Sequence, residues 1–116
     1  MELRVVLCTA PPEAAADIAR AVVEPGLAAC VNILPGVRSI YWWQGELCDD
    51  GESLLVIKTR AERVPALTDA LLAAHPYDVP EVIALPIGVA EGNPAYLRWL
   101  IDETAGRPVP TERSDA

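Results

Sequence analysis

Few residues in this chain can do chemistry. Its 116 residues include three cysteines, Cys8, Cys30 and Cys48, and a single histidine, His75. An odd number of cysteines with no C-x-x-C pair points neither to a disulfide framework nor to a zinc ribbon. Free thiols fit a reducing compartment. Cys8 and His75 would make a thiolate–imidazole nucleophile only with a third group to orient the base and an oxyanion site, and neither is evident. There is no Gly-rich phosphate loop and no paired-carboxylate motif, so no enzyme is expected. Each cysteine has a bland reading, a small packed apolar side chain, beside a chemical one, a thiolate ligand for soft metal ions. Cys48 adjoins Asp49, Asp50 and Glu52, an acidic turn that is either simply solvated or gathers a cation.

His75 sits in "AAHPYDVPEV", where a helical stretch meets Pro76. In the last helical turn an imidazole can bond free carbonyls and complement the helix dipole. Turned outward, it would instead face a cation with help from Asp78, Glu81 or another subunit. Tyr41, Trp42 and Trp43 are consecutive on a strand, so Trp42 and Trp43 point to opposite faces and cannot share one core. One is left for an interface or a cleft, where Trp and Tyr are favoured. Tyr41, Trp43, Lys58, Tyr77 and Glu81 are the candidates for such an interface or inter-subunit cleft, with salt bridging as the alternative for the charged pair.

The elements that must position these groups follow from pattern. "LRVVLCT", Leu3 to Thr9, is a buried strand. A helix starts after Pro11-Pro12-Glu13, with Ala14, Ile18 and Val22 inward and Ala21 beside them, and ends at Pro25-Gly26. Ala28 to Trp43 is a long strand interrupted by Pro35-Gly36, which suits a sheet edge or a bulge. It pairs as a hairpin with Leu54 to Thr59 across a turn at Asp50-Gly51. Glu62 to His75 is a second helix facing inward through Val64, Leu67, Leu71 and Ala74, and Glu81 to Leu85 is the fourth strand. Asn93 caps a last helix with Pro94 at its first position, Tyr96, Leu97, Leu100 and Ile101 inward, and Gly106 as its stop. The order predicts an α+β, ferredoxin-like βαββαβ sandwich with an extra C-terminal helix. One domain over 1–106 and a flexible tail over 107–116 are expected.

Val5-Val6-Leu7, Leu54 to Ile57 and Val82 to Leu85 are apolar at successive positions, so their strands expect burial on both sheet faces. Helices on one side cover one face only, and the other predicts a covering subunit. Seventeen acidic against nine basic residues give a net charge of -8, without the cationic stripe that nucleic acid requires. No run nears the roughly 20 apolar residues of a membrane span. The N-terminus reads as a strand rather than a signal peptide, and a cytoplasmic location is expected.

At "GLAACVNILPGVRSIYWWQGEL", Gly26 to Leu47, and at "HPYDVPEVIALPI", His75 to Ile87, the chain resembles the CutA family of divalent-cation tolerance proteins. The likeness runs in register from "VVLCTAP" at Val5 to "YLRWL" at Tyr96. It implies a compact homotrimer whose edge strands pair between subunits, a cytoplasmic role in tolerance of copper and other divalent ions, and copper binding in some members. The ligands it implies are the first-strand cysteine, here Cys8, and two histidines before "PY". The second of these is His75, while Ala74 stands in place of the first. Copper or another divalent cation is thus the possible cofactor, with none required for folding. The family's trimer resembles PII signalling proteins, so a sensor binding a small ligand at inter-subunit clefts, and passing the signal to a protein partner, is the alternative.

Overall fold

A computed structural model describes residues 1–105; the expected stop at Gly106 and the tail at 107–116 lie outside the described residues. The order is β1 Leu3–Ala10, α1 Ala15–Val23, β2 Cys30–Trp43, β3 Glu46–Arg60, α2 Val64–Ala74, β4 Ile83–Ile87 and α3 Pro94–Glu103, with a short 3-10 turn Ala61–Arg63 before α2. One antiparallel sheet runs in the order β2-β3-β1-β4, as expected of a ferredoxin-like α+β fold.

The core lies between one sheet face and α1 with α2. Val6, Cys8 and Ala10 of β1 and Leu55 and Ile57 of β3 alternate onto that face and pack against Ala15, Ile18, Ala19 and Val22 of α1 and Leu67 and Leu71 of α2. The inward stripe of α1 is displaced from expectation: Ala15 and Ala19 are buried, Ala14 is half-buried and Ala21 is exposed. A turn closed by the Ala14 amide on the Pro11 carbonyl at 3.0 Å precedes the helix and sets its phase. Ala74, expected inward, is exposed at the end of α2.

The hairpin differs most from its expectation. The turn is not at Asp50-Gly51, which lies inside β3, but at Gln44-Gly45, with φ of 51° and 81°. Two positive φ values in a two-residue loop match the right-handed twist of the paired strands. Gly45 adopts this region freely, whereas Gln44 adopts it at some cost. Consequently β3 is 15 residues long, and Val37 to Trp43 paired with Glu46 to Glu52 project beyond the end of β1. The Cα radius of gyration, 15.2 Å, exceeds the about 13 Å of a compact chain this long. The register slips between Leu34 and Val37, so Pro35-Gly36 form the bulge on an edge strand, as the sequence indicates.

The fourth strand begins at Ile83 rather than Glu81 and contains Pro86. Because β4 is the opposite sheet edge, Pro86 needs no ladder hydrogen bond on its outer side. The last helix packs on the second sheet face, where Leu100, Leu97 and Ile101 cover Leu3, Ala29 and Ile87. The Asn93 side chain caps it by accepting from the Ala95 amide at 3.0 Å. At its other end the buried Arg60 guanidinium donates to the Thr104 carbonyl from Nη2 at 2.7 Å and Nε at 3.1 Å, and Arg63 adds Nε at 2.8 Å. Two cations thus meet the negative end of the helix dipole. Tyr96, expected inward, is exposed. Beyond α3 the second face is left open, with Leu34, Ile83 and Leu85 exposed by 44%, 53% and 47%.

Candidate functional site

Cys8 and His75 come together at one atom. The imidazole closes α2 as its C-cap, its backbone turning extended before Pro76, and its amide donates to the Leu71 carbonyl at 3.0 Å. Its Nε2 lies 2.7 Å from the Thr9 carbonyl oxygen, and the Tyr77 amide donates to its Nδ1 at 3.2 Å. The Tyr77 bond needs a lone pair on Nδ1 and the Thr9 bond needs a proton on Nε2, so the ring is one defined neutral tautomer with both nitrogens in use. The Tyr77 ring lies tilted against it at 49°, centroids 4.6 Å apart.

Cys8 is fully buried, and its Sγ donates weakly to the same Thr9 carbonyl at 3.7 Å. Burial pushes its thiol up to about 11, and the negative charges of Glu81 and then Glu52 add to the shift. A thiolate is therefore disfavoured here, whereas reactive or ligating cysteines sit in electropositive, accessible surroundings. Among the described residues no three of His, Cys, Asp and Glu are arranged to hold a metal ion. The two side chains are neighbours, but packed and hydrogen-bonded neighbours. Cys30 and Cys48 are free thiols on the edge hairpin, half-buried, with Cys48 near the start of β3 opposite Tyr41 rather than in the turn. Asp49, expected to share an acidic turn with it, accepts a two-pronged bond from Arg38, at 2.8 Å from Nε and 2.6 Å from Nη2. This pairing holds the Asp49 carboxyl below its ordinary range.

The larger feature is a cavity of about 610 Å³ where the projecting hairpin, the end of β1 and the 75–81 turn converge. Tyr41, Trp43, Tyr77 and Glu81, four of the five cleft candidates, line it with Asp50, Glu52 and Asp78. Ser39, Tyr41 and Trp43 alternate onto one face of β2, and the register sets Asp50 opposite Ser39 and Glu52 opposite Val37. Trp42, 71% exposed, is on the reverse face. Lys58, the fifth candidate, is not in the wall; it donates to the Asn32 side chain on the open sheet face.

Glu52 is the buried carboxylate of the wall, 5% exposed. It accepts from the Tyr77 hydroxyl at 2.8 Å, and the Tyr41 hydroxyl donates to Asp50 at 2.5 Å. Burial first, then the bond to Glu52, pushes the Tyr77 phenol up to about 12. The bond to Asp50 drives the Tyr41 phenol well above its ordinary range, since ionisation would set two negative charges side by side. Asp50 and Glu52 were read from sequence only as members of an acidic turn. Their roles in the wall became visible once the turn moved to Gln44-Gly45.

Fold and site together define an α+β domain with an acidic, aromatic cleft under a projecting hairpin. The sequence matches the family described as CutA1 divalent ion tolerance protein over residues 4–103, and the chain belongs to that family. It is 55% identical over 101 residues to the divalent-cation tolerance protein CutA of Thermus thermophilus, covering 86% of this chain and 96% of that protein. Against the mouse protein CutA, also 55% identical, it spans 51% of the relative's length. Among solved structures, CutA1 of Oryza sativa superposes with a TM-score of 0.85 at 50% identity, over 90% of this chain and 94% of that one. A structure described as the PII-like protein CutA from Nostoc superposes with a TM-score of 0.81 at 34% identity, over 90% and 97%.

Proposed function

We propose that this protein is a homotrimer that serves divalent-cation tolerance by binding rather than by catalysis, and that the cleft under the hairpin is where it binds. The observation that carries this reading is the cavity of about 610 Å³ walled by Tyr41, Trp43, Tyr77, Asp50, Glu52 and Glu81, a size and mixture of apolar and convergent polar groups typical of small-ligand sites. The half-exposed apolar second face and the projecting edge strand support assembly, since a second copy would cover the first and complete the backbone bonds of the other. Signalling in the manner of a PII-like sensor, through a protein partner, is the use that such a cleft suggests. The three free thiols suit the cytoplasm, and cell fractionation tests that placement.

Light scattering at micromolar concentration is expected to give three chains per particle, and a stable monomer would defeat the assembly. A thermal-shift screen of nucleotides, metabolites and cations is expected to find a ligand that raises Tm; a complete lack of stabilisation counts against the cleft. A second reading, copper held by Cys8 and His75, is favoured by their shared contact with the Thr9 carbonyl. It requires the thiol to ionise and the ring to give up one hydrogen bond. Copper titrations of wild type, Cys8→Ala and His75→Ala test it, and indistinguishable binding by all three would end it.

A further inference from the structure

Asp50, Glu52, Asp78 and Glu81 all line the cavity, and among the described residues no lysine or arginine lines it. The nearby cations are engaged elsewhere: Arg38 with Asp49, and Lys58 with Asn32. The phenols of Tyr41 and Tyr77 orient Asp50 and Glu52, but a neutral donor leaves the charge in place. Glu52 is 5% exposed, and a carboxylate taken out of water without a counter-charge is costly. A cationic guest would relieve that cost.

Size and arrangement decide which kind of cation. A bare metal ion wants three or more ligands on one point, and no such group exists among the described residues. The carboxylates stand around a volume of about 610 Å³ that is on the scale of an organic ligand. Trp43 and Tyr41 line the same cavity, and their ring faces attract ammonium groups and cover methylene chains. We propose that the cavity binds a short aliphatic diamine, its two ammonium groups held by separate carboxylates and its apolar middle against Trp43 and Tyr41. This rests on the cleft being the protein's binding place.

Putrescine titrated into the assembled protein at low ionic strength, by calorimetry and thermal shift, tests it. Butanediol serves as the uncharged counterpart, and magnesium and copper ions alone as the metal controls. The variants are Asp78→Asn, Glu81→Gln and Trp43→Ala, all at exposed side chains without an ion pair among the described residues, so their unliganded Tm is expected to match wild type. Putrescine should bind saturably, weaken with salt, and lose about tenfold in affinity in each carboxylate variant, which is one charge pair's worth of partly desolvated attraction. Equal binding of butanediol, or affinity unchanged in all three variants, overturns the proposal. If a metal ion stabilises the protein through these carboxylates while putrescine is inert, the ligand class is wrong and the cleft remains a binding place. If nothing stabilises it, both readings fall.

Discussion

Alkylation of Cys8 is the most direct probe of whether the first-strand thiol is poised for metal or packed away. Cys8 is fully buried, and its thiol is pushed from 9.0 up to about 11 by burial and by the charges of Glu81 and Glu52. At pH 8 a thiol at 9.0 is about one-tenth thiolate and one at about 11 is about one-thousandth, a loss of roughly a hundredfold in the reactive form. Burial adds to this, because the reagent must wait for an opening of the β1–α1 core. The assay is iodoacetamide labelling at pH 8 with site-resolved mass spectrometry, comparing Cys8 in the native protein with Cys8 in guanidinium. The comparison is of one residue with itself, so labelling of Cys30 and Cys48 does not confuse it. Protection of at least a hundredfold is expected. Labelling of native Cys8 within about tenfold of its denatured rate would refute the reasoning and restore the thiolate as a ready ligand.

Tyr77→Phe removes the donor to buried Glu52 and is expected to cost about 1–3 kcal/mol in denaturant unfolding at fixed protein concentration. The same variant tests a pH dependence. The folded phenol titrates near 12 against an ordinary 10.0, so its contribution is complete below pH 10 and is lost as pH rises towards 12. The stability of Tyr77→Phe should fall less steeply than wild type in that window, and parallel curves would contradict the assignment. Leu67→Ala, at a fully buried position of α2, is expected to lose about 2–5 kcal/mol through the cavity it leaves. A loss below about 1 kcal/mol would mean that α2 does not pack as described.

Much of the fold was legible because its signals are local. Pro11-Pro12 before α1, Pro25-Gly26 after it, Asn93-Pro94 at the start of α3 and Pro76 after α2 act through φ restriction and capping within a few residues. The misplaced hairpin turn shows the limit. Asp50-Gly51 is a favourable turn pair, yet Gln44-Gly45 takes the turn, because there the alternation of Val37, Ser39, Tyr41 and Trp43 meets that of Glu46, Cys48, Asp50 and Glu52 in register. Register is settled by all the cross-strand pairs at once, and no single dipeptide carries it.

By itself the sequence determined the βαββαβ order, the edge position of the long strand and the two-faced apolar strands, and it nominated Tyr41, Trp43, Lys58, Tyr77 and Glu81 for a cleft or interface between subunits. Periodicity and turn chemistry act along the chain and can be read there. Only the tertiary structure decided that Cys8 and His75 meet at the Thr9 carbonyl with both imidazole nitrogens in use, that Lys58 turns away to Asn32, and that four carboxylates line one cavity with no lysine or arginine beside them among the described residues. Those are facts of who stands beside whom across the sheet, set by register and helix packing. The electrostatics of the site follows from distances in space that spacing in sequence does not contain.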